Sequence, residues 1–290
     1  MECHRNYDLT SHNSYKLKAA CRRAFFPEFE SDFIDIYSKF SEKNDLLNKI
    51  LIGRGYNIIL SKSYYNQDFI IVGDSFNSLD FLGDGLISAE AGASTLDLST
   101  LALENELTGA EVFYDIPSSI GGAVVMNAGA SGEEIKDILV KVRYLDLVDF
   151  QIKEIENQDI GFCYRNSFFQ QNPDKIVLKA WFMLKRGSYD RIKEKMERVK
   201  VSRWSKQPKK FPNAGSVFKR PTGFYVGKII EDLGLKGFTI GGAKISEKHG
   251  GFIINYNNAT GSDIIAIINF VQERVKEKYQ IEIEVEQRII

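Results

Sequence analysis

Histidine and cysteine are scarce in this chain and never stand close together. Three cysteines (Cys3, Cys21, Cys163) and three histidines (His4, His12, His249) are spread over 290 residues. Structural metal sites draw His and Cys ligands in close pairs, so a metal centre of that kind is not expected. An odd, scattered set of thiols also argues against a disulfide framework and fits a reducing cytoplasm. An excess of charge of either sign is missing too. The 38 basic and 39 acidic residues leave a net charge of −1, which gives no general attraction to nucleic acid or to an anionic membrane. No apolar run approaches the roughly 20 residues of a membrane span. The polar first 15 residues lack the apolar core of a signal peptide. What remains is a globular composition, 43% hydrophobic, on a chain long enough for two or three domains.

What the chain does have is short, dense turns of small residues. Gly53-Arg54-Gly55-Tyr56-Asn57 lies between two strand-like runs, 50–52 and 58–60. Such a turn can set backbone N–H groups against phosphate, or simply close a hairpin. No Gly-Lys-Ser/Thr follows and no helix opens after it, so it is neither a Walker loop nor a dinucleotide fingerprint. Residues 116–130 form a second small-residue segment. Its Pro117, Ser118, Ser119, Gly121, Gly122, Ala123 and Gly129 suit either a pyrophosphate wrapped by N–H groups and hydroxyls or tight helix–sheet packing. Arg165 stands among apolar and aromatic residues in Phe162-Cys163-Tyr164-Arg165-Asn166-Ser167-Phe168-Phe169. Arginine is rarely buried without a partner, and a structural carboxylate would be the plain explanation.

A third segment, Pro212-Asn213-Ala214-Gly215-Ser216-Val217-Phe218-Lys219-Arg220-Pro221, sets a lone hydroxyl between a glycine and an apolar pair, with two cations just beyond. It reads as a connecting turn, or as a rigid turn that offers a hydroxyl to an anionic ligand.

Around these turns, helical spacing is expected over 32–48, over 96–107, over 188–204 after a Ser188 cap, and over 224–233 up to Gly234. A further amphipathic helix carries Ile264, Ile267, Ile268, Val271 and Val275, with Ser262 as its expected cap. Strands are expected over 69–72, 86–91, 140–148, 176–184 and 251–255. A period-2 strand is expected to close the sequence, with Ile281, Ile283 and Val285 on one face and Glu282, Glu284 and Glu286 on the other.

Taken in order, these segments resemble one family, the UDP-N-acetylenolpyruvoylglucosamine reductases (the MurB family). The resemblance rests on Gly53-x-Gly55-x-Asn57, residues 116–130, Tyr164-Arg165-x-Ser167-x-Phe169 and residues 213–221. It continues through Gly241-Gly242-Ala243-x-x-Ser246-x-Lys248-His249, Gly251-Phe252-Ile253-Ile254-Asn255 and Glu286-x-Arg288. It covers residues 6–290, and the run from Pro221 straight into the helix at Phe224 is similar to the shorter, second type of the family. Two departures stand out. Lys18-Ala19-Ala20-Cys21 replaces a glycine pair that usually follows the position of Tyr15, and Arg54 and Tyr56 stand where small residues are common.

The resemblance implies an α+β protein. It would have a vanillyl-alcohol-oxidase-type (PCMH-like) FAD-binding fold of two subdomains, 1–68 and 69–204, with the final strand returning to the first. A C-terminal α+β substrate-binding domain, 205–290, would follow. It also implies FAD as cofactor, NADPH as co-substrate and UDP-N-acetylglucosamine enolpyruvate as substrate, in a cytoplasmic monomer with no nucleic-acid or membrane partner and no metal. By the same resemblance Arg165 stabilises developing negative charge, Ser216 donates a proton and Glu286 supports it. Gly53, Gly55, Tyr56, Asn57 and the small residues from Pro117 to Gly129 bind the flavin. Tyr164, Lys219, Arg220 and Lys236 contact the substrate. An FAD oxidase of the same fold, or a non-catalytic UDP-sugar-binding relative, are the competing readings.

Overall fold

A computed structural model of the chain describes residues 1–39 and 49–290. The chain forms two compact units, each drawn from separate stretches. The first holds Met1–His4, Arg23–Arg54 and Gln67–Ser202; the second holds Arg5–Arg22, Gly55–Asn66 and Arg203–Ile290. Among the described residues no helix is long and apolar enough to cross a membrane.

The first unit is built on a five-stranded antiparallel sheet. Its order is Gln151–Glu156, Leu139–Asp146, Lys175–Met183, Leu86–Glu90, Leu79–Gly83. The middle strand, KIVLKAWFM, buries Ile176, Val177, Leu178, Ala180 and Phe182, the near-continuous apolar run of a strand covered on both faces. The edge strand, QIKEIE, is largely exposed and charged, which discourages further strand pairing. Across that edge Glu154 meets Arg143 at 2.8 Å and Lys141 at 2.6 Å. At the strand end Lys153 and Lys175 both bond Asp146, and these two partners hold its carboxyl far below the usual carboxylate range.

The helix expected over 96–107 is Thr95–Glu104. It buries Leu98, Ser99 and Ala102 but leaves Leu96 exposed, so the apolar stripe is narrower than the leucine count implied. Of the helix expected over 32–48, Glu30–Ser38 is observed; 40–48 lie outside the described residues. Lys49–Ile52 pairs in parallel with the end of Tyr64–Ile71, from Lys49↔Asp68 to Ile52↔Ile71. One apolar cluster, including Phe25, Phe33, Phe76, Phe113, Leu178 and Phe182, forms the core of this unit.

The second unit combines a small antiparallel sheet, ordered Thr239–Ile240, Ala243–Ile245, Ile253–Asn255, with the long helix Gly261–Tyr279. Ile264, Ile267, Ile268, Val271 and Val275 form its buried stripe, as the spacing predicts. Its cap is Thr260, not Ser262. Thr260 Oγ1 accepts from the Asp263 N–H (3.2 Å), and Asp263 accepts from the Thr260 N–H (2.9 Å). A Thr-x-x-Asp box is available only from position 260, because a Ser262 cap would put Ile265 where the carboxylate is needed. The helix expected over 224–233 is Val226–Asp232.

The expected closing strand is the clearest correction. Residues 281–284 do not form a strand; Val285 makes one antiparallel bridge with Phe218, and only Arg288–Ile289 pairs regularly, in parallel with Ile58–Ile59. The alternation of burial survives without the ladder: Ile283 is buried, while Glu282 and Glu284 are exposed and ion-paired to Lys276 and Lys219.

Candidate active site

In the second unit, the turn carrying Ser216 is fixed from several sides. Asn213 accepts the Gly215 N–H at 3.1 Å and donates to Phe211 O at 2.8 Å. Pro212 O accepts from Asn255 N–H at 2.9 Å. Gly215 has φ +80° with open space around its missing Cβ, so conformation rather than crowding demands glycine here. Ala214 and Val217 are buried on either side, and Ser216 between them is exposed. The chain then pairs with the C-terminal segment: Glu286 N–H donates to Val217 O (2.8 Å) and Lys219 N–H to Glu284 O (2.8 Å). The register sets Glu286 opposite Val217, the residue after Ser216, and Gln287 opposite Ser216 itself.

Gln287 is a residue that sequence reasoning missed. It is 4% exposed, and its amide Nε2 faces the carbonyls of Ala214 (3.0 Å), Gly215 (3.3 Å) and Ser216 (3.3 Å). Its Oε1 accepts from the hydroxyl of Tyr15 at 2.9 Å. A signal was present: Gln287 continues the inward parity of Ile281, Ile283 and Val285, and a glutamine at an inward position needs partners.

Asn57 serves the same segment. Its Nδ2 donates to Glu286 O (3.2 Å) and its carbonyl accepts from Arg288 N–H (2.9 Å). The amide that the family resemblance offers to a flavin therefore also holds the backbone of Glu286. Beside it, the Gly55 carbonyl accepts from Ser14 N–H (3.0 Å), and a Cβ on Gly55 would strike the His12 carbonyl. The Ser14 hydroxyl oxygen is buried and, among the described residues, has no hydrogen-bond partner. Tyr56 is 41% exposed.

The expected substrate cations of this unit are distributed as follows. Lys219 is paired with Glu284, Lys236 lies 3.7 Å from Glu231, and the Arg220 guanidinium stacks 3.7 Å above the Tyr225 ring. His249 closes a turn: its Nδ1 accepts from Gly251 N–H (3.0 Å), while Gly251 O accepts from Val217 N–H (3.0 Å). Burial, helped by the charge of Lys236, holds the imidazole below its ordinary pKa and therefore neutral.

In the first unit the 116–130 segment is a turn followed by the short helix Ile120–Val125, capped by Ser119. Four N–H groups of this segment are already used. Ile120 donates to Ala93 O (2.8 Å), Gly121 to Ala91 O (2.9 Å), Gly122 to Ser119 Oγ (3.2 Å) and Ala123 to Ser119 O (2.8 Å). Ser118 Oγ donates to Ser119 O. These groups satisfy the fold, so the segment offers a ligand close approach to small residues rather than a ring of vacant donors. The partner stretch, Ala91-Gly92-Ala93-Ser94-Thr95, is itself a run of small residues. Gly53 packs so closely on Ser119 that a Cβ would collide with Oγ. Arg54 lies across Gly92 O (3.0 Å) and pairs with Asp74 (2.7 Å). Gly129 is small for a local reason: a Cβ there would strike the Glu133 carbonyl across a two-residue hairpin.

Arg165 sits at the tip of a turn closed by reciprocal bonds between Cys163 and Asn166 (3.2 Å each). It adopts φ +54°, an uncommon value for a residue with a side chain. Its guanidinium donates to Asn127 O (3.1 Å) and Gly129 O (2.9 Å) and lies 5.1 Å from the centre of the exposed Tyr164 ring. Asn127, fully buried, braces the turn through Cys163 O (3.1 Å) and Glu134 (2.9 Å).

A flavin is compatible with these residues on two observations. Gly53 and Ser119 form a close small-residue contact, and the buried Ser14 hydroxyl beside Gly55 is available to an acceptor or donor supplied by a ligand.

Known proteins resemble this chain over nearly its whole length. The family model "UDP-N-acetylenolpyruvoylglucosamine reductase, C-terminal domain" matches residues 207–290, and "FAD binding domain" matches 22–151. A UDP-N-acetylenolpyruvoylglucosamine reductase of Caldanaerobacter subterraneus subsp. tengcongensis is 41% identical over 98% of this chain and 92% of its own. One of Francisella tularensis subsp. tularensis is 40% identical over 97% and 98%. The crystal structure of UDP-N-acetylenolpyruvylglucosamine reductase (MurB) from Thermus caldophilus superposes with a TM-score of 0.83 at 27% identity, covering 99% of this chain and 98% of that one.

Proposed function

This chain belongs to the UDP-N-acetylenolpyruvoylglucosamine reductase family, and we propose that it reduces UDP-N-acetylglucosamine enolpyruvate to UDP-N-acetylmuramate at the expense of NADPH, as a monomer in the cytoplasm. The observation that carries this reading is the Ser216 turn: an exposed hydroxyl on a backbone fixed by Asn213, Gly215 and Gln287, with the Glu286 backbone paired beside it.

When bound, FAD would supply the hydride-transfer chemistry that links NADPH to C3 of the enolpyruvyl double bond. In the first unit Gly53, Pro117, Ser118, Ser119, Gly121, Gly122, Ala123 and Gly129 are assigned to hold it. In the second unit Ser14, Gly55, Tyr56 and Asn57 are so assigned.

The remaining chemistry belongs to side chains. Hydride addition at C3 places negative charge on C2 and the adjoining carboxylate. Arg165 is a planar cation aimed by two backbone carbonyls and suits the stabilisation of that charge. Ser216 delivers the proton to C2. A serine hydroxyl is a weak acid, so Glu286 is assigned to support its hydrogen-bonding network and its return to the protonated state. Arg220, Lys219 and Lys236 offer cations to the substrate's diphosphate, with Tyr164 as a further contact. The carboxylates now beside Lys219 and Lys236 would yield to the more highly charged ligand.

The direct test is an absorbance spectrum of the purified protein followed by NADPH oxidation assays. A flavin spectrum and NADPH oxidation that requires the enolpyruvyl UDP-sugar are expected. A protein that cannot be loaded with FAD, or one that consumes oxygen with an alcohol and ignores the UDP-sugar, would refute the assignment.

A further inference from the structure

We infer that Gln287, oriented by the hydroxyl of Tyr15, is a positioning residue that sets the Ala214-Gly215-Ser216 turn in the geometry from which Ser216 donates its proton. The inference rests on the reading of Ser216 as the proton donor.

Three carbonyls, of Ala214, Gly215 and Ser216, converge on one end of the Gln287 side chain at 3.0, 3.3 and 3.3 Å. Carbonyls only accept, so the end facing them is the NH2 group, and its two protons serve three acceptors. The amide oxygen is thereby turned toward Tyr15, whose hydroxyl donates to it at 2.9 Å. Both side chains are buried, Tyr15 completely and Gln287 at 4% exposure. In that setting an unmade hydrogen bond is costly, and the pair is locked in one orientation. Burial also pushes the Tyr15 hydroxyl well above its ordinary pKa, so it remains a donor across the working pH range.

The clamp acts where the backbone is least constrained by regular structure. No helix or strand includes residues 213–216, and Gly215 takes a left-handed φ of +80°. Gln287 binds the carbonyls on both sides of Gly215, so it fixes the two peptide planes whose rotation would swing the Ser216 side chain. It also follows Glu286 directly, so one short segment orients the turn through the Gln287 side chain and pairs with it through the Glu286 backbone.

The experiment separates the two half-reactions in a stopped-flow instrument. NADPH reduces the flavin of the holoenzyme in one measurement, and the enolpyruvyl UDP-sugar reoxidises pre-reduced enzyme in the other. In Q287L, which keeps the volume and removes the amide, reoxidation is expected to slow roughly 10- to 100-fold, as for a small displacement of a reacting group. Flavin reduction and the KM for the sugar should stay within about twofold. Y15F, which removes only the hydroxyl, should show a smaller loss in the same half-reaction and keeps the question open to test if Q287L folds poorly. In an S216A background Q287L should add no further loss, because the group it positions is gone.

Unchanged reoxidation in both Q287L and Y15F overturns the proposal. So does equal slowing of both half-reactions, or additive loss in the double variant, since either marks a general structural role. If S216A itself reoxidises at the normal rate, the proton-donor reading falls first and the proposal with it; a slow S216A beside a normal Q287L removes the positioning role alone.

Discussion

Ser14 and Gly55 lie against each other through one hydrogen bond, from the Ser14 N–H to the Gly55 carbonyl at 3.0 Å, while the Ser14 hydroxyl stays buried without a partner among the described residues. A buried, unsatisfied hydroxyl costs roughly 1–3 kcal/mol. Its persistence next to a glycine turn fits a group that a bound flavin satisfies. Ser14→Ala is therefore expected to stabilise the flavin-free protein by about 1 kcal/mol and to weaken flavin binding several-fold. Thermal melts of flavin-free protein and a fluorescence titration with FAD check both signs; a loss of stability together with unchanged flavin affinity would contradict it.

Ser216→Ala should leave flavin reduction by NADPH close to normal and lower turnover of the sugar by at least roughly 100-fold, the usual scale for a group acting in the transition state. Single-turnover kinetics of each half-reaction read this directly. Loss of both halves in parallel would instead mark Ser216 as a structural residue.

Arg165→Lys keeps the charge but loses the fork that reaches Asn127 O and Gly129 O together. A fall in kcat of roughly 100- to 1000-fold is expected, with a thermal midpoint close to that of the parent. A variant with near-parental kcat would show that charge alone suffices.

Gly53→Ala forces Ser119 Oγ away from the new methyl group and so off the Gly122 N–H that it caps. The cost should match a lost helix cap, about 0.5–2 kcal/mol. Ser119→Gly in the same chain, itself costing only a few tenths, should recover most of the loss. Denaturant melts of the two single variants and the double variant decide it.

His249 makes stability depend on pH. Its folded pKa lies below the ordinary value of about 6.5, because burial and Lys236 disfavour the cation. The unfolded chain then binds more protons near pH 6, so the stabilisation is present above about 6.5 and is lost as pH falls through the lowered value. Thermal stability should decline between about pH 7 and 5. His249→Asn, whose amide oxygen can accept the Gly251 N–H and does not titrate, should flatten that decline. Asp146, held by Lys153 and Lys175, and Asp263, held by the Thr260 and Gly242 N–H groups, have lowered pKa values and act only in more acidic solution.

Much of the fold is legible in the sequence. The stripe Ile264–Val275 and the apolar run of Lys175–Met183 are periodic enough to place a helix and a central strand, because burial imposes its period directly on residue type. The Thr260 cap was legible as well, in Thr-x-x-Asp. The C-terminal segment misled because alternation reports which side is buried, not whether a ladder of hydrogen bonds exists.

The site divides in the same way. The family resemblance, carried by the order of the motifs along the chain, points to Ser216, Arg165 and Glu286, so proposed roles for them could be drawn from the sequence. Their constraints could not. Gln287 reaches the Ser216 turn across about 70 residues and Tyr15 across 272, and no local pattern encodes a contact at that separation. The N–H groups of Ile120 and Gly121 likewise read as vacant in a linear reading and are taken once Ala93 and Ala91 fold against them. Composition and periodicity determined which groups are available; only tertiary structure decided which were already spent, because hydrogen bonds saturate and their partners are chosen in space.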